Sequence, residues 1–221
     1  AWARVTGAAL PDGAVATSAE MRLTAPDLDP ACPRLGDAAI AIDPLSGHGL
    51  FWALSSALML PPILAALDAG EAGLARRFWR DRAAATFWRQ ARVGRDLHRM
   101  AGLSGPFWKA RAAWPDDAPA HAEVARPAIR RQVAVADGRL VEAEAVVTPN
   151  APEGAAFLAG RPLVPLLRRL GSGVGGPEAL APHLPGRSAA EARAAFDWLS
   201  AAGLTGPAAL SDLIRPLEAV P

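Results

Sequence analysis

The first third of the chain alternates short extended patterns with long helical ones. Residues 19–24 alternate apolar and polar side chains, as a half-buried strand does. The apolar run at 34–42 predicts a buried strand that leads into a turn, and a helix is predicted from about Gly49. Because proline interrupts intrahelical hydrogen bonds, Pro61-Pro62 predicts that this helical stretch divides into two helices.

The longest helical pattern runs from Glu71 to about Met100 and has two contrasting faces. One face carries Leu74, Phe78, Ala85, Trp88 and Ala91. The other face carries Arg76, Arg77, Arg80, Arg82, Arg89, Arg92, Arg95 and Arg99. We interpret the arginines as a solvated helix face, with docking of an acidic partner protein as the alternative. Six aromatic side chains are interpreted as core, with a substrate channel as the alternative, namely Trp52, Trp79, Trp88, Phe107, Trp108 and Trp114.

The last third of the chain predicts a hairpin followed by three short helices. Two strand patterns, 129–136 and 140–148, meet at Asp137-Gly138, a strong hairpin signal. Helical patterns follow near 163–170 and 178–184, and the last one opens on the capping box of Ser188 and Glu191 and stops at Gly203. This content is typical of a winged-helix module.

Composition excludes several functional classes. The chain has 221 residues, 51% of them hydrophobic, and a net charge of +1, which fits a globular protein without a field that attracts nucleic acid or membrane. The uncharged stretch from Leu50 to Leu67 predicts a buried core helix, not a membrane span, because it contains two serines and the double proline. Cys32 is the single cysteine, so a reduced, cytoplasmic setting is expected and a metal site is not. His98, His121 and His183 are interpreted as isolated surface or structural residues.

The segment from Gly36 to Leu50 carries the chemistry. We expect the predicted strand to deliver the Asp37 carboxylate to its carboxyl edge, where open α/β sheets bind ligands and where an acceptor suits a ribose or polyol hydroxyl. Gly47 and Gly49 allow the backbone to approach a ligand closely. The N-terminus of the following helix directs its N–H groups at the same point, which suits a pyrophosphate or a carbonyl. A tight loop and helix cap without a ligand is the alternative interpretation.

The string Gly36-Asp37-Ala38-Ala39, followed by Asp43-Pro44 and Gly47-His48-Gly49, resembles the second FAD-binding motif of the flavoprotein monooxygenase superfamily. The resemblance implies that Asp37 binds the ribityl chain of FAD, next to Gly36 and Ala38. It also implies a set of residues along the isoalloxazine side, namely Pro44, Ser46, Gly47, His48, Gly49 and Leu50. For His48 a backbone role and a catalytic role both stay open, and the resemblance assigns no catalytic residue.

Ile40 stands where the hydroxylases of this superfamily usually carry histidine, so the chain is closer to the geranylgeranyl reductase and tryptophan halogenase branch. Within that branch, the helix rich in arginine and aromatic residues resembles flavoproteins that modify protein residues during the biogenesis of peptidyl quinone cofactors. That resemblance implies a polypeptide substrate, O₂, and reduction of FAD by NAD(P)H or by a flavin-reducing partner.

Together these features predict an α/β chain, or α+β if it is taken as a fragment. Residues 1–115 are interpreted as the C-terminal part of a Rossmann-like FAD-binding domain with a helical extension, 116–127 as a linker, and 128–221 as a winged-helix-like domain. The Gly-x-Gly-x-x-Gly fingerprint that opens an adenine-binding unit is not found. Gly171–Gly176 resembles it superficially, but no strand pattern leads into this stretch, so it is interpreted as a flexible loop. We therefore expect a fragment of an FAD-dependent oxidoreductase that is not active alone.

Two alternatives remain. The first is a flavin-dependent halogenase or reductase that acts on a small molecule, although the Trp-x-Trp-x-Ile-Pro motif of the halogenases is absent. The second is a degenerate flavoprotein whose winged-helix module binds a peptide without catalysis. Nucleic-acid binding is disfavoured, because Glu191, Arg193 and Asp197 leave the last helix without a basic excess.

Overall fold

The computed structural model describes residues 20–121, 123–171 and 173–206, which form a mixture of helices and small antiparallel sheets. Residue 19 of the predicted first strand and Ser172 of the glycine-rich loop lie outside the described residues. The helices are α1 (Gly49–Asp68), α2 (Ala72–Ala101), α3 (Pro106–Ala113), α4 (Leu163–Leu170), α5 (Pro177–Leu180) and α6 (Ala189–Ala201). The strands are β1 (Arg22–Leu23), β2 (Ile40–Ala41), β3 (Ala128–Ala136), β4 (Arg139–Thr148), β5 (Ala151–Ala155), β6 (Phe157–Leu158) and β7 (Arg161–Pro162). This mixture is compatible with the predicted α/β class.

The predicted strand at 34–42 is wrong over most of its length. Gly36–Ala38 forms a 3-10 turn, and β2 contains two residues that pair antiparallel with β1. Gly36 adopts the left-handed φ of 52°, which interrupts the extended backbone that the apolar run predicted. Asp37 therefore precedes the short strand and does not lie at its carboxyl end.

The double proline does not divide the helix, contrary to the prediction. Helix α1 is continuous, with Pro61 and Pro62 inside it. The carbonyl groups one turn earlier lose their intrahelical donors at these prolines. Tertiary packing compensates for the loss, because Pro62, Ile63 and Ala66 are buried, the last two in one cluster with side chains of α2.

Helix α1 is also not a buried core helix as predicted. An exposed apolar face runs along it, formed by Leu50, Phe51, Leu54, Leu58 and Leu64. Among the described residues, α1 is the helix that is long and apolar enough to cross a membrane, judged by length and composition alone. Only 28% of its most apolar 18-residue stretch is buried. One such helix is weak evidence for a span, so the absence of a membrane role stays a prediction.

The first core joins α1, α2 and the β3–β4 hairpin. The rings of Trp52 and Trp79 lie 6.1 Å apart, and Phe78, Val133 and Leu140 belong to the same cluster. The interpretation of these two tryptophans as core is confirmed, whereas several other aromatic side chains are exposed, namely Trp88, Phe107 and Trp114. Of the predicted apolar face of α2, Ala85 and Trp88 are likewise exposed. The hairpin shares this core with helices that precede the predicted linker.

The second core forms between the hairpin and the helices that follow it. The predicted turn is confirmed, since Asp137 and Gly138 both have positive φ, 48° and 73°, as a type I′ turn requires. Helices α4, α5 and α6 confirm the three predicted helical patterns, and α6 carries the complete capping box. Their buried side chains pack together with Val146 of β4 and include Leu163, Leu167, Leu180 and Leu199. Strands β5, β6 and β7 were not predicted.

We expect Ser188→Ala to lower the free energy of unfolding by about 1 kcal/mol, the usual effect of losing an N-cap side chain. Ser188 Oγ accepts a hydrogen bond from the Glu191 N–H at 3.2 Å, and Glu191 Oε2 accepts one from the Ser188 N–H at 2.8 Å. Urea denaturation measures the effect. Ser200→Ala at an exposed position of the same helix is the control and should change stability by less than about 0.5 kcal/mol.

Candidate functional site

The first half of the motif is fixed to helix α1 by two hydrogen bonds. The Gly36 N–H donates to Ser56 Oγ at 3.0 Å, and Trp52 Nε1–H donates to the Gly36 carbonyl at 3.1 Å. A Cβ on Gly36 would stand 3.4 Å from the Ala53 Cβ, at a φ that side chains rarely adopt. Glycine is therefore required here, and the turn that carries Asp37 is held against the first eight residues of α1.

The second half of the motif forms the turn that enters α1. Asp43 Oδ1 accepts a hydrogen bond from the Leu45 N–H at 3.0 Å, which shapes the 3-10 turn Pro44–Ser46. Gly47 ends that turn with a φ of 66°, and His48 precedes the helix without a side-chain cap. The first N–H groups of an α-helix have no intrahelical acceptor, so this terminus keeps free donors.

The structure brings both halves of the motif to the start of α1 and leaves most of it accessible. Gly36 is buried, as expected for its anchoring role, and Ser46 and Gly49 are half-buried. The remaining motif residues are exposed, namely Asp37, Ala38, Pro44, Gly47, His48 and Leu50.

The backbone is open at Gly47 and Gly49. A Cβ at either position would meet no heavy atom of the described residues within 4 Å, so packing does not exclude a side chain there. A positive φ explains glycine at Gly47, whereas Gly49 lies in regular helix and has no such reason. Close approach of a ligand to the helix N-terminus would explain the second glycine.

A cluster of polar side chains around the buried Asp43 supports the turn, and the contributions of His98 and Arg111 to it were missed by the sequence reasoning. The Asp43 carboxylate is buried, with Oδ2 3.4 Å from His98 Nε2 and in an ion pair with Arg111 Nη2. His98, interpreted from the sequence as a surface or structural residue, is only 5% exposed and takes a structural position, because α2 turns this side chain toward the motif turn. Arg111 comes from α3, which was not predicted. His98 and Arg111 lie 55 and 68 residues from Asp43, so no local pattern connects them.

The pKa of Asp43 reflects opposing effects. Burial raises the pKa of this carboxyl, but the hydrogen bond from Leu45 N–H and the charge of Arg111 outweigh it, and the pKa lies below the ordinary 3.8. Asp43 is therefore a carboxylate at neutral pH. One charged side chain thus joins the motif turn to α2 and α3.

The arginine face of α2 is not simply solvated, which corrects the sequence interpretation. Arg92 makes two hydrogen bonds to the Asp116 carboxylate, at 2.9 and 2.8 Å. Arg95 is 3% exposed and donates to the Ala118 carbonyl at 2.8 Å, and Arg99 pairs with Asp117 at 2.6 Å. These arginines hold the start of the predicted 116–127 linker against α2.

A groove of about 220 Å³ lies between α1 and α2, beside the motif. His48 lines it just before α1, Trp52 and Met59 line it from α1, and Arg89 and Gln90 line it from α2. Because His48 belongs to both the motif and the groove wall, a molecule in the groove would lie next to the motif turn.

No protein-family model and no curated protein sequence matches the chain. A solved structure matches over 80% of the chain with 36% sequence identity and a TM-score of 0.61. The chain is similar to QhpG. QhpG is described as a peptidyl tryptophan dihydroxylase essential for tryptophylquinone cofactor biogenesis.

The match covers 42% of QhpG, so the matched part of the chain spans less than half the length of that protein. QhpG oxidises a residue within a polypeptide. This description agrees with the resemblance to enzymes of peptidyl quinone biogenesis and supports the predicted oxidoreductase class. The assignment of FAD and of the motif residues to it stays a prediction.

We expect Asp43→Asn to lower the free energy of unfolding by about 3 kcal/mol, because it leaves the partly buried charge of Arg111 unpaired. The folded-state pKa lies below the unfolded value, so Asp43 stabilises the protein above pH 3.8 and loses this effect as the pH falls through the folded pKa. The difference between parent and variant should therefore narrow in acid.

Urea denaturation at neutral and acidic pH measures both effects. Asp27→Asn removes the exposed ion pair with Arg80 and serves as the control, with an expected change of at most about 1 kcal/mol. Equal losses in the two variants would contradict the supporting role of Asp43.

Proposed function

We propose that the chain is part of an FAD-dependent monooxygenase that oxidises an aromatic side chain, specifically tryptophan, in a partner polypeptide. The observation that carries the proposal is 36% identity to the peptidyl tryptophan dihydroxylase QhpG over 80% of the chain. The FAD motif at Gly36–Leu50 adds a cofactor suited to that reaction. The halogenase and reductase alternatives have no comparable support.

In this proposal the motif residues bind and orient the cofactor. Asp37 accepts hydrogen bonds from ribityl hydroxyls, and the free N–H groups at the start of α1 bind pyrophosphate or flavin carbonyl oxygens. Gly47 and Gly49 allow the backbone close approach, while Pro44, Ser46, His48 and Leu50 contact the isoalloxazine side. When bound, FAD supplies the redox chemistry with O₂, after reduction by NAD(P)H or a flavin-reducing partner.

The described sheets support the proposal that another part of the enzyme binds the adenine half of FAD. Those sheets are antiparallel, and a helix, not a strand, precedes the glycine-rich stretch 171–176, so an adenine-binding βαβ unit is not among the described residues. QhpG is more than twice as long as the segment matched. We propose that the complete enzyme resembles QhpG in length and that this chain supplies the flavin-side motif.

Residues 128–206 are proposed to form a winged-helix-like module that helps to bind the partner polypeptide. The β3–β4 hairpin and helices α4, α5 and α6 supply the expected elements and enclose their own core. Exposed charges on α6 pair with each other, Arg193 with Asp197 at 3.2 Å, and leave no basic recognition surface on that helix. A polypeptide therefore fits this module better than nucleic acid.

We expect Asp37→Ala to weaken FAD binding in the intact protein by at least about tenfold, the usual effect of removing a charged hydrogen-bond acceptor. Flavin absorbance per mole of purified protein and titration with FAD measure the effect. Asp68→Ala, an exposed aspartate at the opposite end of α1, is the matched control and should retain flavin. A parent protein that neither contains nor takes up FAD would overturn the cofactor assignment.

The Gly49→Ala variant shows whether glycine at this position is needed for ligand binding or for folding. The added methyl group meets no heavy atom of the described residues within 4 Å and occupies a helical position, so stability should be unchanged or higher by up to about 1 kcal/mol. FAD binding should weaken by at least about tenfold if the flavin approaches this backbone.

Thermal denaturation and FAD titration measure the two effects on the same samples. Gly73→Ala, in the first turn of α2 and equally free of neighbours, is the control. Unchanged FAD affinity in both variants would place the cofactor away from the start of α1.

A further inference from the structure

We propose that the groove between α1 and α2 holds the tryptophan side chain that is oxidised, with Gln90 accepting a hydrogen bond from the indole N–H. This inference rests on the proposed function and assigns the substrate to particular residues. It places the reacting side chain beside His48, where the motif and the groove meet.

The side-chain oxygen of Gln90 is a buried hydrogen-bond acceptor that no described residue satisfies. Gln90 is 4% exposed and lines the groove, and its Oε1 is buried without a hydrogen-bond partner among the described residues. Leaving a buried acceptor without a hydrogen bond is destabilising, so such a group calls for a partner. The indole N–H is a donor that lacks acceptor capacity and matches the Gln90 oxygen.

The size and lining of the groove suit one aromatic side chain. Its volume of about 220 Å³ is below the range of about 300–1,000 Å³ typical of clefts that hold drug-sized ligands. Phe51, Trp52 and Met59 supply aromatic and thioether surfaces, which pack well against a ring. A whole cofactor is too large for this space, whereas a side chain inserted from a polypeptide fits it.

Charged groups at the groove favour a polypeptide over a free apolar molecule. The Nε of Arg82 is buried and has no hydrogen-bond partner among the described residues. Arg89 pairs with Glu153 at 3.2 Å, and both also line the groove. Such donors suit the backbone carbonyl groups on either side of an inserted tryptophan.

The test uses a fluorotryptophan amide with blocked termini as the probe and the flavin-loaded intact protein. Broadening of the probe's fluorine NMR signal reports binding without interference from the tryptophans of the chain. Ser55→Phe fills the groove and should abolish broadening. Ala57→Phe, on the exposed face of the same helix and outside the groove, should leave it unchanged.

Gln90→Leu keeps the approximate volume and removes the acceptor. We expect it to weaken probe binding by about threefold to tenfold, the range for one net hydrogen bond. The parent should also prefer the probe to its derivative methylated on the indole nitrogen, and Gln90→Leu should lose that preference. A purely structural role for Gln90 would leave the preference unchanged.

The outcomes separate this inference from the proposed function. If the parent binds flavin but does not broaden the probe signal, the groove is not the substrate site. The same conclusion follows if the parent and Ser55→Phe broaden the signal equally. Both results leave the flavoenzyme assignment intact. If the parent and Gln90→Leu show the same ratio of affinities for the probe and its methylated derivative, the role of Gln90 is overturned. A protein that binds no flavin overturns the proposed function and the inference with it.

Discussion

The geometry of the candidate site depends on the buried carboxylate of Asp43. One oxygen receives the Leu45 N–H and shapes the turn, while the other meets Arg111 and His98. A single charged group therefore connects the motif to α2 and α3, and its burial is tolerated because hydrogen bonds and the guanidinium stabilise the ionised form. If that connection were lost, the entry into α1 and the free N–H groups at its start would lose their support.

Helix α1 combines three roles that explain its unusual sequence. Its first eight residues hold the Gly36 turn through Trp52 and Ser56. One side faces α2 across the groove, and another is an exposed apolar surface of the kind that marks interaction sites. A continuous apolar helix whose one charged residue, Asp68, is its last meets all three demands, and its packing against α2 retains the helix through two prolines.

Sequence reasoning succeeded where the determinants are local. The Asp137-Gly138 turn and the Ser188 capping box are short-range patterns whose residues contact one another in the fold. It failed for the strand at 34–42, because the left-handed conformation of Gly36 depends on Ser56 and Trp52, which are 20 and 16 residues away. It also failed for the arginines of α2, since a periodic pattern does not reveal that Asp116 and Asp117 return to that face.

The sequence by itself determined the motif, the start of α1 at Gly49, the hairpin and the last three helices, because each depends on neighbouring residues and backbone preference. Only the tertiary structure decided which side chains surround the motif. His98 and Arg111 reach Asp43 from elements distant in sequence, and Gln90 lines the groove beside the motif. Long-range packing, which no local pattern encodes, therefore converts a recognisable motif into a candidate site with a groove beside it.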